Sequence, residues 1–453
     1  MSAPRIVTAA AMPAGTPEVP VAIVGAGACG LVAATFLAEA GIDCVLLERD
    51  ARAQGSTALS SGFIPAAGTR VQRAAGVLDD DAARFAADIQ AKAKGRAAPH
   101  LVAAYTEAIA PAIDALEERH GLAFELLGGF VYPGHAVRRM HTLPERTGAA
   151  LVAALDAAAT RAGATVLTEA LVRELWCEPF SPDADPPGSA GASGESGAAR
   201  GGAAPPRIIG IGFERPDGRI EHLACAKLLL ACNGFGGNAA MVRDLLSPMQ
   251  GAVFAGHAGN DGSAIAWGRQ LGAALADLGG CQGHGSWAVP QGALITWALM
   301  TEGGIQVNAR GERFHDERAG YSEASVEVLA QPGGIAWNVF DDRLLALGRT
   351  FLDFAAAEAA GAVRHAADAA ALAALIGCDA ATPARTLDAA AAPRTPHRRG
   401  TRSRSPARSS TRRAASTSTR NAALHAASGR AFPNLLAAGG AARGARATRC
   451  GGT

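Results

Sequence analysis

The chain of 453 residues contains no apolar run of the roughly 18–20 residues that a membrane-spanning helix needs, and no membrane partner is expected. Its eight cysteines (Cys29, Cys44, Cys177, Cys225, Cys232, Cys281, Cys378 and Cys450) include no CxxC pair. That argues against a metal site and against a disulfide framework, and fits a reducing cytoplasm. Aromatic residues are only 5 % of the chain. The most informative scarcity is of acid: from Ala389 to Thr453 there is no Asp or Glu, while 13 Arg occur there. Of the 42 Lys and Arg residues, 29 therefore remain to face all 41 acidic residues before Ala389, a net of −12. The overall charge of +1 conceals an acidic body and a basic tail.

What is abundant is apolar and small: hydrophobic residues are 49 % of the chain and glycine alone numbers 55. This mix suits packed α/β layers with close helix–sheet contacts and excludes a wholly disordered chain. Residues 1–19 lack a clear apolar core with a small-residue cleavage site and read as a loose, disordered leader. Val21–Val24 then reads as a buried strand, Gly25–Gly30 as a turn, Leu31–Ala40 as a helix with Gly41 at its end, and Cys44–Leu47 as a second strand. Further on, Pro65–Leu126 is mostly helical in pattern, Thr147–Ala162 reads as one helix and Thr165–Val172 as a strand. Ile208–Phe213 and Arg219–Leu223 read as a hairpin around Pro216-Asp217-Gly218, and Lys227–Ala231 as another buried strand. Between them Pro179–Pro206 is rich in Gly, Ser, Ala and Pro, a flexible surface insertion over 180–206.

The strand–turn–helix–strand unit carries Gly25-Ala26-Gly27-Ala28-Cys29-Gly30, with Glu48 ending the second strand. Gly25 allows a tight turn, Gly27 lets the backbone approach a pyrophosphate, and Gly30 lets helix and strand pack closely. The free N–H groups and positive dipole end of the helix favour phosphate. A carboxylate about 20 residues on can hold ribose hydroxyls. This is a dinucleotide-binding fingerprint in its proper context.

The loop Gly55-Ser56-Thr57-Ala58-Leu59-Ser60-Ser61-Gly62 makes a resemblance specific. It matches the G-x-T-x-x-S-x-G loop of the fumarate reductase and 3-ketosteroid dehydrogenase superfamily of FAD enzymes, which this chain resembles. Leu229–Asn238 is similar to the family's A-T-G-G-F-x-x-N segment, and Gly259-Asn260-Asp261-Gly262 with Leu271-Gly272-Ala273 to its G-x-G-D-G…L-G-A segment. Val307-Asn308 through Glu317 resembles V-N-x-x-G-x-R-F-x-N-E, and Asn434–Gly440 the late G-L-Y-A-A-G-E element. The resemblance implies an α/β fold: a Rossmann-type FAD-binding domain (20–280, resuming at 424–444) with an inserted α+β substrate-capping domain (281–377). It implies FAD as cofactor, held by Gly25, Gly27, Ala28, Gly30, Glu48, Ser56, Thr57, Ser60, Ser61, Gly62, Val172, Asn233, Gly234, Asp261, Gly262, Gly439 and Gly440. Gly440 stands where many relatives carry Glu.

In that family, hydride moves between the flavin N5 and a substrate carbon, while a protein acid or base handles the proton on the neighbouring carbon. The candidates here are Tyr321, His284, Arg313, Glu302 and Glu317. Four residues after the R-F-x-N-E glutamate, fumarate reductases carry an arginine acid and ketosteroid dehydrogenases a tyrosine base. This chain has Tyr321 there, which leans toward dehydrogenation beside a carbonyl. Arg313 or Arg318 would supply a positive field to lower the phenol's pKa. An ordinary half-buried tyrosine and a structural histidine remain open as readings of Tyr321 and His284, and Glu302 and Glu317 are expected to orient neighbours. The implied substrate is a small molecule, a dicarboxylate or a bulky ketone, with an unidentified electron donor or acceptor.

Residues 389–423 form a basic, RS-like arm that by charge alone would bind nucleic acid, although it lacks the aromatics that stack on bases. A second reading is a frameshift. GC-rich codons can be chosen for Gly400–Ala422 so that the neighbouring frame carries the family's late active-site H-T-x-G-G segment. Ala445–Thr453 can likewise be coded to give the run into its last flavin-binding helix. The alternatives to an enzyme are thus an inactive frameshifted remnant or a non-catalytic protein with a nucleic-acid-binding tail.

Overall fold

The computed structural model describes residues 3–129, 131–180, 204–391 and 423–442, in two compact units. The first takes in the described residues up to Gly128, His135–Gly280 and those from 423 on; the second takes Gly129–Gly134 and those from Cys281 to 391. The frame-shifted reading of Gly400–Ala422 and Ala445–Thr453, and nearly all of the 180–206 insertion, lie outside the described residues.

Nine strands of the first unit make one sheet. They are β1 (Arg5–Thr8), β2 (Glu18–Val24), β3 (Cys44–Leu47), β4 (Thr165–Leu167), β5 (Leu171–Cys177), β6 (Ile208–Glu214), β7 (Ile220–Leu230), β8 (Ala423–His425) and β9 (Ala431–Ala437). Strands β4, β3, β2, β7 and β9 lie side by side and parallel, with Leu228–Leu230 of β7 opposite Leu435–Ala437 of β9. Their sequences are short continuous apolar runs because both faces are covered. One face takes α1 (Ala28–Glu39) and α3 (Gly148–Ala162), where Leu31, Ala34, Leu151 and Leu155 meet Ile23 and Leu46. Between these helices in sequence lies the 22-residue α2 (Pro99–His120). The other face takes α4 (Ser263–Gln270), whose Trp267 joins Ala22, Val24 and Leu228. Helix α3 begins at its N-cap Thr147, whose hydroxyl accepts the Ala150 N–H at 3.2 Å, and ends at Gly163 with φ 93°.

Three expectations are corrected. Residues 5–8 are not a loose leader but a parallel edge strand on β5, held by the Arg5 guanidinium on the buried Glu174. Four residues are too few to show a period in sequence. The arms read as Arg219–Leu223 and Lys227–Ala231 are one strand, β7, which pairs antiparallel with β6 in its first half and parallel with β2 in its second. Conversely Thr165–Val172 breaks into β4 and β5, because Glu169 turns through φ 52° and Ala170 donates to the Glu48 carbonyl at 2.8 Å.

In the second unit, Ile305–Val307 pairs antiparallel with Trp337–Val339, and Trp287–Ala288 with Ala293–Leu294. Helix α5 (Tyr321–Leu329) follows a 3-10 turn at Glu317–Ala319. The unit continues past Gly377, where the capping domain was expected to end. Gly377 (φ 83°) stops one helix, but Ala381–Ala391 forms another, and its Thr386 hydroxyl donates to Gly311 O at 2.8 Å. Among the described residues, Cys29, Cys44, Cys177, Cys225, Cys232 and Cys378 are free thiols. Among the described residues, no helix is long and apolar enough to cross a membrane.

One side chain ties the returning strand into the sheet. Asn434, 4 % exposed, accepts the Ile208 N–H at 2.9 Å and donates to the carbonyls of Ile208 and Ala226 at 2.6 and 2.8 Å. Asn434→Ala strands buried backbone groups on two strands. It should cost roughly 2–4 kcal/mol of the first unit's stability, read as a lower urea midpoint.

Candidate cofactor and active site

Parallel strands release their loops at one edge, and in the first unit these loops come together. Gly25 follows β2, Glu48 follows β3, Ala231–Gly237 follows β7 and Ala438–Ala442 follows β9. Gly25 has φ 105°, and a Cβ on it would stand 2.8 Å from Ala231 O. A Cβ on Gly30 would overlap the Gly25 carbonyl and reach 3.0 Å from a Leu46 methyl. Both glycines are therefore demanded by the protein's own packing. Gly27 is not: a Cβ there would meet only Thr57 Oγ1, at 3.6 Å. The space beside its backbone is open at the N-cap of α1, whose first turn carries no acidic side chain. A bare backbone facing open space at a helix N-terminus is what a pyrophosphate requires, so the residues present fit FAD.

Glu48 is 4 % exposed. Its carboxylate accepts the Ala26 N–H at 2.9 Å and the Asp50 N–H at 3.0 Å, one on each oxygen. A second lone pair on each oxygen is left for ribose hydroxyls. Burial pushes its pKa up, opposed by these two bonds. Ala28 donates its N–H to Thr57 Oγ1 at 3.2 Å, tying the helix start to the 55–62 loop. Ser60 folds that loop on itself, donating to Thr57 O at 2.7 Å and accepting the Gly62 N–H at 3.1 Å. Ser61 is half-buried beside it. Gly62 (φ 68°) lies against the Thr147 carbonyl at the start of α3, where a Cβ would stand 2.7 Å away. Ser56 Oγ is occupied differently: it accepts from the His257 N–H at 3.0 Å and from Asn260 Nδ2 at 2.9 Å.

Asn233, in the left-handed region at φ 67°, accepts the Gly234 N–H at 2.9 Å, and Gly440 lies so close that a Cβ would overlap its Oδ1. Gly439 (φ 60°) stands against Cys29, which burial keeps in its neutral thiol form. Gly262 (φ 85°) donates to Gly234 O at 3.1 Å and caps α4, while Asp261 accepts from Ser263 N and Oγ at 3.0 and 2.6 Å. Val172 points into the core of the sheet at 4 % exposure, opposite Phe213, so only its backbone is available to a ligand.

The five catalytic candidates all fall in the second unit. Glu317, 1 % exposed, is the fixed point: it accepts the Gln306 N–H at 2.9 Å and both bonds of Arg313 Nε at 3.0 Å, and pairs with Arg313 Nη2. Arg313 is thus committed to Glu317, and Arg318 pairs with Asp316 at 3.2 Å. Neither arginine is the spare positive field expected for Tyr321. Tyr321 instead has its phenol oxygen accepting from Gln282 Nε2 at 3.1 Å, and its ring stacks on His284 at 5.0 Å and 21°. His284 also meets Trp297 edge-on at 6.0 Å, and its Nδ1 accepts the Ser286 N–H at 3.2 Å, placing the ring proton on Nε2. Glu302 is half-buried at the end of a short helix, where its carbonyl accepts from Arg343 at 2.7 Å.

Two residues escaped the sequence reading. Gln306, 1 % exposed, joins Gly285 O (2.7 Å), Asn338 Oδ1 (2.7 Å) and His315 Nε2 (2.8 Å), so it holds the backbone next to His284. Tyr132 is coupled electrostatically to Tyr321, and burial raises its pKa. A buried amide and a lone tyrosine carry no motif; only tyrosine's rarity, three in the chain, could have flagged the second.

A family model described as an FAD binding domain matches residues 20–452, and the chain belongs to that family. FAD is its cofactor. The NADH:fumarate oxidoreductase of Klebsiella pneumoniae (strain 342) is 25 % identical over 72 % of this chain and 32 % of its own length. The chain spans from a fifth to about half of the curated relatives it matches, with 20 % and 52 % among the values. In fold it is similar to the open conformation of a flavocytochrome c3 fumarate reductase (TM-score 0.70, 20 % identity, 96 % of this chain and 77 % of that one). It is equally similar to 3-ketosteroid-Δ4-(5α)-dehydrogenase from Rhodococcus jostii RHA1 (TM-score 0.69, 20 % identity, 96 % and 92 %).

Burial pushes the His284 pKa down to about 4 from 6.5. The unfolded chain therefore binds a proton between those values that the folded chain refuses. The stability present above pH 6.5 should be lost as pH falls toward 4, and His284→Gln should flatten that part of a stability–pH curve from denaturant melts.

Proposed function

We propose that the chain is an FAD-dependent oxidoreductase that acts on a carbon–carbon bond beside a carbonyl or carboxylate. Tyr321 is the observation that supports this most. It opens α5 four residues after Glu317, where the family resemblance puts the proton carrier, and its oxygen is already a hydrogen-bond acceptor. Bound FAD supplies the acceptor or donor of hydride. The Gly25–Gly30 turn binds the pyrophosphate and Glu48 the ribose. Tyr321 moves the proton at its phenol oxygen. Gln282, by donating to that oxygen, favours its charged form. His284 stays neutral at pH 7 and packs the Tyr321 ring in place, while Glu317 orients Arg313. The substrate is a dicarboxylate or a bulky ketone, and electrons pass to or from a separate partner.

A second reading, an inactive remnant, draws on the acid-free stretch after Asp388. The colour of the purified chain separates the two. An enzyme is yellow, with flavin absorbance released on denaturation; a colourless protein that takes up no added FAD favours the remnant.

Tyr321→Phe keeps the ring against His284 and removes only the hydroxyl. It should retain FAD and lose turnover by ~10²–10⁴, about 3–5 kcal/mol of barrier. A Phe variant within a few-fold of the parent in steady-state assays would make Tyr321 a packing residue and move the proton to His284.

A further inference from the structure

Ser56 was expected to meet the flavin phosphates, and its oxygen also accepts two bonds from protein. It accepts from the backbone N–H of His257 at 3.0 Å and from the side-chain amide of Asn260 at 2.9 Å, both about 200 residues away in sequence. Six residues back, just past Glu48, the same His257 reaches the loop again. Its Nε2 stands 3.0 Å from Asp50 Oδ2. Its Nδ1 accepts the Gly259 N–H at 3.0 Å, which fixes the ring beside Asp50, where Nε2 makes a close charge contact but not an aligned hydrogen bond. A third strap is weaker: Arg49 lies along Gly259 and stands 3.7 Å from Asp261 Oδ2.

The loop 49–57 is thus fastened at both ends by one segment, 257–261. Within it lie the exposed Arg52 and no regular element before Gly55. What the loop carries matters for the cofactor. Its first end follows the ribose carboxylate Glu48, whose Oε1 accepts the Asp50 N–H at 3.0 Å. Its last residue is Thr57, whose hydroxyl holds the Ala28 N–H at the phosphate end of α1. Letting the loop go would loosen both groups together, at an entropic cost that cofactor binding would have to restore.

We propose that His257 is a positioning residue, a buckle across the 49–57 loop that sets how tightly the chain holds the adenosine diphosphate half of FAD. The inference rests on the FAD reading of the site. It assigns His257, Asp50 and Ser56 no contact with substrate and no part in proton transfer.

The test compares the full chain with His257→Ala and Ser56→Ala. FAD affinity is titrated by quenching of flavin fluorescence, ADP affinity by competition, and cleavage after Arg52 is timed with dilute trypsin in the absence of ligand. Each variant should bind FAD and ADP about tenfold more weakly, the loss of one or two polar contacts. Each should also be cut after Arg52 several-fold faster, with an unchanged thermal midpoint. The double variant should be no worse than the weaker single one, because releasing either end frees the same loop. Should the variants bind FAD within twofold of the parent, or should the two losses add, the buckle is wrong. Should the thermal midpoint of both variants collapse, the contacts are structural and the proposal fails as well. A parent that takes up no FAD overturns the cofactor reading itself, a result easily told from variants that bind as the parent does.

Discussion

At the carboxyl ends of β2 and β7, two backbones approach so closely that no side chain fits between them. Gly25 turns at φ 105° under the Ala231 carbonyl, and Gly30, in the first turn of α1, sits on the Gly25 carbonyl and Leu46. This crowding sets the direction in which α1 leaves the sheet, and with it the direction of its N-terminal N–H groups. The rest of the first unit follows from that placement. Thr57 closes on Ala28, Glu48 turns back to Ala26, and α3 packs along α1 with its start under the 55–62 loop. Of the three glycines of this turn, Gly27 alone is left uncrowded, and that is where a pyrophosphate is proposed to lie.

Much of this was legible from sequence because it is local. The strand–turn–helix–strand unit, Glu48 at its end and the helix at Thr147–Ala162 all lie within reach of period and turn rules. Cys44–Leu47 has the same limits in sequence and structure, and Gly41 does adopt φ 70° after the helix. What failed was long-range or too short. Residues 5–8 become a strand only because β5 offers them an edge, and β7 is continuous because β2 and β9 supply partners for a stretch that alone reads as two. The functional residues divide in the same way. Glycines that a motif requires were found. The place of Ser56 in a motif was legible; that its oxygen also accepts from a segment far along the chain was not.

The second unit sets a buried polar network beside its apolar core, where shape has to be specified. Gln306, Ser286 and Glu317 are buried, and Gln306 joins the other two: its backbone N–H donates to Glu317 and its side-chain amide to Gly285 O and Ser286 Oγ. Such a network tolerates few alternatives, since any displaced member leaves others unsatisfied in a low-dielectric interior. Its product is a fixed backbone at Gly285, whose N–H donates to the Tyr321 carbonyl at 3.0 Å, and so a fixed stack of His284 on Tyr321.

The return of the chain to the first sheet also shapes its synthesis. Asn434 and Ala226 are joined at 208 residues' separation, and β9 joins β7, a strand made long before it. Until the ribosome has delivered residue 437, the outer side of β7 at Leu228–Leu230 is a bare, apolar edge with unpaired backbone groups. Such an edge invites pairing with a neighbouring chain. Late closure of the sheet therefore leaves this edge of the nascent first unit open for as long as the second unit takes to emerge.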